Sequence, residues 1–287
     1  MIKIYFRYFL ALLLFGSNGI VASYISLNSY EIVLLRTLIG SLFLIIVFIS
    51  SRQKITFHKY KRNSFCLLVS GMAMGTSWMF LYEAYQQIGI SVSSLAYYCG
   101  PVIVMVLSPL FFREKLTWIK IVGFITVLCG IFLVNAQAIS NGKLEIGLFY
   151  AGMSAIMYAV MVIFNKKANR IVGLENAMIQ LFISFITVAL FVGIKQGYYI
   201  KVTGDNWIPI IILGLLNTGT GCYLYFSSIN KLPVQTVAVC GYLEPLSAVI
   251  FSVLFLSEIL LPVQILGAVL VICGAAFVEL FSYRKTL

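Results

Sequence analysis

The sequence predicts an all-α integral membrane protein of ten transmembrane helices, arranged as two inverted five-helix repeats, and three observations predict it. Hydrophobic residues make up 61% of the 287 and charged residues 10%, against roughly 25% charged in a typical soluble domain. So little polar material cannot cover an apolar interior in water, whereas a bilayer removes the need to. The apolar residues fall in runs close to the ~20 residues that cross a hydrocarbon core. The chain also matches itself, without gaps over most of each half, when shifted by 144 residues.

The runs lie at about 5–27, 31–50, 65–87, 91–112, 118–137, 144–165, 175–194, 207–229, 234–257 and 262–281. Breakers and charges mark the connectors: Leu27-Asn28-Ser29, Arg52 to Asn63, Ile88-Gly89, Arg113-Glu114-Lys115, Ser140-Asn141-Gly142, Lys166-Lys167, Thr203-Gly204-Asp205 and Leu232-Pro233. The first run follows Lys3 and Arg7 as a signal peptide would, but it lacks a small-residue cleavage pattern, so it reads as a retained helix.

Orientation follows from the basic residues. With a cytoplasmic N-terminus, sixteen Lys and Arg fall on the inner side and only Lys143, Lys195 and Lys201 on the outer. Both termini are therefore expected in the cytoplasm, and the net charge of +11 reflects topology rather than nucleic-acid binding. The six cysteines sit in apolar stretches without metal-ligand spacing and read as packing residues. No cofactor is expected.

The 144-residue shift places Glu31 on Glu175, Gly75-Thr76 on Gly219-Thr220, Tyr98 on Tyr242, Pro101 on Pro245, Glu114 on Glu258, Gly123 on Gly267 and Cys129-Gly130 on Cys273-Gly274. The repeats are bounded at 1–138 and 139–287. Five helices is an odd number, so the second repeat must insert upside down. Inverted repeats are an architecture of secondary transporters, in which the halves exchange conformations to open a central site alternately to each side.

Several residues are candidates for that site. Gly75 and Gly219 interrupt equivalent helices near mid-depth, either freeing backbone groups for a ligand or allowing close helix packing. Pro101 and Pro245 lie about ten residues into their spans, as hinges or as fixed kinks. Trp78 and Tyr82 share a helix face, and Trp78, Tyr98, Tyr158, Tyr223 and Tyr242 lie too deep for interface anchors. They line either a wet cavity suited to an aromatic or amphipathic substrate or a packed core.

Arg36 and Glu83 lie at similar depth, ~6–8 Å in from the outer ends of their helices, and are expected to pair. Binding of a substrate carboxylate by Arg36 is the alternative. Glu31, Glu175, Glu114 and Glu258 sit at helix ends, where structural roles suffice. Glu244 lies ~15 Å deep beside Pro245, opposite Gly100 in the repeat. A carboxylate there can exchange a proton or hold a substrate amine, or it can cap backbone loosened by the proline.

The stretches Gly100-Pro101, Leu110-Phe111-Phe112-Arg113-Glu114-Lys115-Leu116 and Tyr242-Leu243-Glu244-Pro245, with the glycines that follow, resemble the paired signature of the drug/metabolite transporter superfamily, in particular its EamA family. Phe15-Gly16-Ser17-Asn18 resembles the family's first-helix pattern, with Phe where Trp is frequent, and Arg36 matches its second-helix arginine. The resemblance covers the whole chain. It implies a plasma-membrane exporter of amino acids or related metabolites, aromatic ones included, driven by a proton gradient or by the substrate's own gradient, with Asn18 at the site, membrane lipid as surroundings and a homodimer as assembly.

An enzyme is disfavoured. The only histidine, His58, lies in a basic connector, and there is neither a His-Glu-x-x-His motif nor a Gly-Lys-Ser/Thr phosphate loop. The rival classes are an intramembrane enzyme of another kind and a sensor or receptor on a transporter-like scaffold.

Overall fold

In the computed structural model of the chain, residues 2–88, 93, 97–113, 117–134, 145–198, 200, 202, 204–256 and 262–283 are described. All regular structure among them is helical: α1 Ile2–Gly16, α2 Asn18–Ser23, α3 Ser29–Ser50, α4 Lys61–Ile88, α5 Cys99–Phe112, α6 Trp118–Val134, α7 Glu145–Lys167 and α8 Gly173–Lys195. There follow α9 Trp207–Ile212, a π-helical segment Leu213–Thr220, α10 Gly221–Ile229, α11 Val234–Cys240, α12 Leu243–Leu256 and α13 Pro262–Tyr283. Among the described residues, seven segments are long and apolar enough to cross a membrane: Ile2–Ser23, Ser29–Ser50, Lys61–Gln87, Ile146–Lys167, Gly173–Lys195, Trp207–Ile229 and Val234–Phe255. The chain is thus a multi-pass membrane protein.

Local chemistry sets the boundaries. Asn28 and Glu31 form a reciprocal capping box that starts α3. Gly173, the first residue of α8, has φ +67°, a conformation costly for a residue with a Cβ. Of the expected connectors, Gly89, Glu114, Lys115, Ser140-Asn141-Gly142 and Thr203 lie outside the described residues, as does Glu258.

Among the described residues, four expected spans are not continuous α-helices, the fourth span being interrupted at Tyr98. The first breaks at Ser17 into α1 and α2 and ends at Ser23. The eighth contains the π segment. The ninth breaks at Gly241-Tyr242, so Pro245 occupies the first turn of α12 rather than the middle of a helix. Pro101 occupies the same turn of α5. In a first turn the missing N–H costs nothing, because it would have no intrahelical partner there.

Helices α4 and α7 pack together, as do α1 and α10; α8 lies against α3 and α4, and α12 against α1. Helix α6 pairs with α13, where a Cβ on Gly274 would lie 2.8 Å from the Gly123 carbonyl, so the glycines let the two backbones meet. The central core includes Tyr8, Leu12, Leu181, Phe226 and Tyr242, all buried. Leu110, Ile194 and Leu254 are exposed, as a lipid-facing surface requires.

Candidate functional site

The broken helices converge on a cavity of about 500 Å³. Helix α4 supplies one wall: Met74, Ser77, Trp78, Leu81, Tyr82 and Tyr85 recur at helical spacing on a single face. That wall is held to α7 by a reciprocal clasp, in which Ser77 Oγ donates to the Ser154 carbonyl at 2.9 Å and Ser154 Oγ to that of Ser77 at 2.7 Å. One turn beyond Ser154, Tyr158 faces the cavity, edge-on to Tyr97 at 5.5 Å and 3.4 Å from the Tyr225 hydroxyl. A Cβ on Gly100 would come within 2.7 Å of the Tyr158 ring. Glycine stands opposite Glu244 in the repeat because an aromatic ring fills the space.

Two charges share this aromatic enclosure. Arg36, 6% exposed, donates from Nε to Thr218 Oγ1 at 2.9 Å and lies 4.9 Å over the Trp78 ring. Glu244, in the first turn of α12, lines the cavity with it. The two are near enough to interact electrostatically, yet they form no direct ion pair among the described residues. A cavity with one guanidinium, one carboxylate and aromatic walls is suited to a small amphipathic molecule carrying both signs of charge.

The π segment ties these parts together. Asn217 donates to the Leu14 carbonyl at 2.9 Å and to Ser17 Oγ at 2.8 Å, clamping the break between α1 and α2. Thr218 Oγ1 donates to the Leu213 carbonyl at 2.8 Å, five residues back, as the wider π turn permits. Asn18 begins α2 at this break and also lines the cavity.

The lining runs out to Ser23, Leu27 and Ser29 at one end of the bundle and, among the described residues, includes none of α11 at the other. That second end is closed by buried hydrogen bonds. Asn165 Nδ2 donates to Asn176 at 2.9 Å and to Gln180 at 3.3 Å, and Asn230 Nδ2 donates to Asn165 at 3.3 Å. Lys166 Nζ caps the end of α10, donating to the Ile229 carbonyl at 2.7 Å and to that of Leu232. Helix α11, buried throughout, is bonded to α1 through Tyr8 and the Val237 carbonyl at 2.8 Å, and to α5 through Gln235 and Ser108 at 2.8 Å.

Of the residues expected at the site, Asn18, Arg36, Trp78, Tyr82, Tyr98, Tyr158 and Glu244 meet at the cavity. Others do not. A Cβ on Gly75 would lie 2.8 Å from the Ser184 carbonyl, and one on Gly219 would lie 2.7 Å from Phe43, so both glycines serve close packing. Tyr242 is buried in the core and donates to the Tyr98 carbonyl at 2.7 Å. Tyr223 packs against the core outside the cavity. The expected Arg36–Glu83 pair is absent: Glu83 bonds to Lys195 at 2.8 Å instead. Lys195, at the water-facing end of α8, reaches Glu83 without burying its own charge.

Sequence reasoning missed Tyr97, Tyr225 and Phe15 as lining residues. Depth alone selected Tyr223, whereas Cys222, Tyr225 and Phe226 of α10 line the cavity.

The EamA-like transporter family model matches residues 2–136 and 145–280. The chain is 26% identical over 270 residues to the uncharacterized transporter YxxF of Bacillus subtilis (strain 168), an alignment covering 93% of this chain and 86% of that protein. It is 24% identical over 283 residues to the riboflavin transporter ImpX of Fusobacterium nucleatum, covering 92% and 93%. One solved crystal structure superimposes with a TM-score of 0.84 at 17% identity, covering 97% of this chain and 99% of that one, which establishes likeness of fold alone.

Proposed function

The chain belongs to the EamA-like transporter family, and from that premise we propose that it moves amino acids or related aromatic metabolites across the plasma membrane by alternating access. The observation that carries the reading is the cavity that both Arg36 and Glu244 line within aromatic walls. A zwitterion satisfies both poles, and an aromatic side chain is suited to Trp78, Tyr82 and Tyr158. A neutral ring system such as riboflavin, cargo of one relative by name, uses the walls but leaves both charges without partners.

The ten-helix inverted arrangement is part of this proposal. Cys99–Phe112 and Leu243–Leu256 begin and end 144 residues apart. The packing of α4 on α7 has its counterpart in α10 on α1, and that of α5 on α7 in α12 on α1. These correspondences support two like halves whose rocking moves the cavity between sides. With both termini cytoplasmic, the Ser23–Ser29 end faces outward, and export ends with release there.

Glu244 is the proposed proton site. It stands at the start of a half-helix and lines the cavity, so a proton and a substrate amine compete for the same carboxylate. The test is transport in proteoliposomes. Glu244→Gln should retain counterflow of L-phenylalanine but lose at least about tenfold of the accumulation driven by a pH gradient. Unchanged gradient-driven accumulation by well-folded Glu244→Gln protein removes the proton role. Absence of counterflow across a panel of amino acids by the unaltered protein removes the cargo class.

A further inference from the structure

Arg36 is a buried cation whose protein contacts are of an unusual kind. Its Nε–H goes to Thr218 and its face to Trp78. These contacts engage the flank and the plane of the guanidinium without neutralising it; among the described residues the terminal N–H fork has no hydrogen-bond partner, and Arg36 lines the cavity. Nothing in general packing calls for such an arrangement, because a buried charge without a direct counter-ion is costly.

The π segment sets the angle. In an α-helix the Thr218 hydroxyl would find the carbonyl three or four residues back; here it donates to Leu213, five residues back. With its hydrogen committed there, Thr218 Oγ1 has only lone pairs to offer Arg36. The same segment is anchored through Asn217 at the α1–α2 break, so the acceptor cannot swing away without disturbing that break.

We propose that Arg36 binds the carboxylate of the cargo through its terminal N–H fork, and that Thr218 is the positioning residue that holds the fork toward the cavity. The proposal rests on the reading of the protein as a carrier of amino-acid-like cargo. A carboxylate fits better than a phosphate. One guanidinium matches one negative charge, the walls are aromatic, and Glu244 in the same cavity opposes a dianion.

Trp78 provides the readout. The chain has three tryptophans, so Trp118→Phe with Trp207→Phe leaves the full-length protein with only the indole beneath Arg36. Titration with L-phenylalanine or 3-phenylpropionate should change its emission. L-Phenylalaninamide, which lacks the carboxylate, should bind at least about tenfold more weakly. Thr218→Val should weaken both carboxylates about tenfold without affecting the amide, and Thr218→Ser should restore them. Should Thr218→Val fold poorly, Arg36→Lys serves instead, since it keeps the charge, loses Nε–H and the planar fork, and should give the same selective loss. Equal binding of acid and amide, or carboxylate affinity unmoved by these changes, overturns the site while continued phenylalanine counterflow leaves the transport reading standing. If none of the three ligands alters Trp78 emission or shows counterflow, the cargo class falls and this site with it.

Discussion

The two ends of the bundle are built from different materials. At the Ser23–Ser29 end, small and apolar residues rim the cavity. At the Lys166 end, amides, a lysine and a fully buried short helix are joined by hydrogen bonds across α1, α5, α7, α8 and α10. Apolar contacts slide at little cost, whereas buried polar groups must exchange partners all at once or remain unsatisfied. Under the proposed alternating access, the free-energy barrier to exposing the cavity on the other side is concentrated at the sealed end.

Thiol accessibility tests this most directly. In a protein without its native cysteines, Ser29→Cys should react with a water-soluble maleimide on the order of a thousandfold faster than Thr236→Cys in α11, corresponding to about 4 kcal/mol. Equal rates would mean that the sealed end opens freely at rest, and the contrast would collapse.

Repeat mates offer a finer probe. Glu175 at the sealed end accepts from Thr56 N and Oγ1, both at 2.6 Å, and from Phe57 N at 2.8 Å. Among the described residues, Glu31 at the cavity end takes part only in a local capping box. Glu175→Ala should cost about 2 kcal/mol and Glu31→Ala about 1 kcal/mol, read as thermal stability in detergent. The reverse order would show that the sealed end owes little to polar bonds. A smaller effect should come from Asn165→Leu, which strands donors on Asn176 and Asn230. A loss of roughly 0.6–1 kcal/mol is expected, since polar bonds inside membranes are individually weak, and Asn18→Leu at the cavity end should cost less still.

Much of this was legible in the sequence. Spacing alone put Trp78 and Tyr82 on one wall, and depth singled out Arg36 and Glu244 as charges in need of a reason to be there. Tyr223 was misplaced because depth does not tell which side of a helix faces the cavity, and Cys222, Tyr225 and Phe226 lie there instead. Glu83 was matched to Arg36 because depth was the only available criterion. Its actual partner, Lys195, comes from a helix end and reaches over a distance that span arithmetic does not measure. Gly75 and Gly219 were ambiguous by nature, since a glycine at mid-depth looks the same whether a ligand or a neighbouring helix fills the space.

The hydrogen bond from Tyr242 to the Tyr98 carbonyl joins residues 144 positions apart, at the starts of α12 and α5. Two like halves can write such a bond in two directions, with either tyrosine as the giver. Only one version is written here, with Tyr242 buried in the core and the Tyr98 ring turned to the cavity. Under the proposed exchange of conformations between the halves, the direction of that single bond works as a one-bit record of which half is currently playing which part.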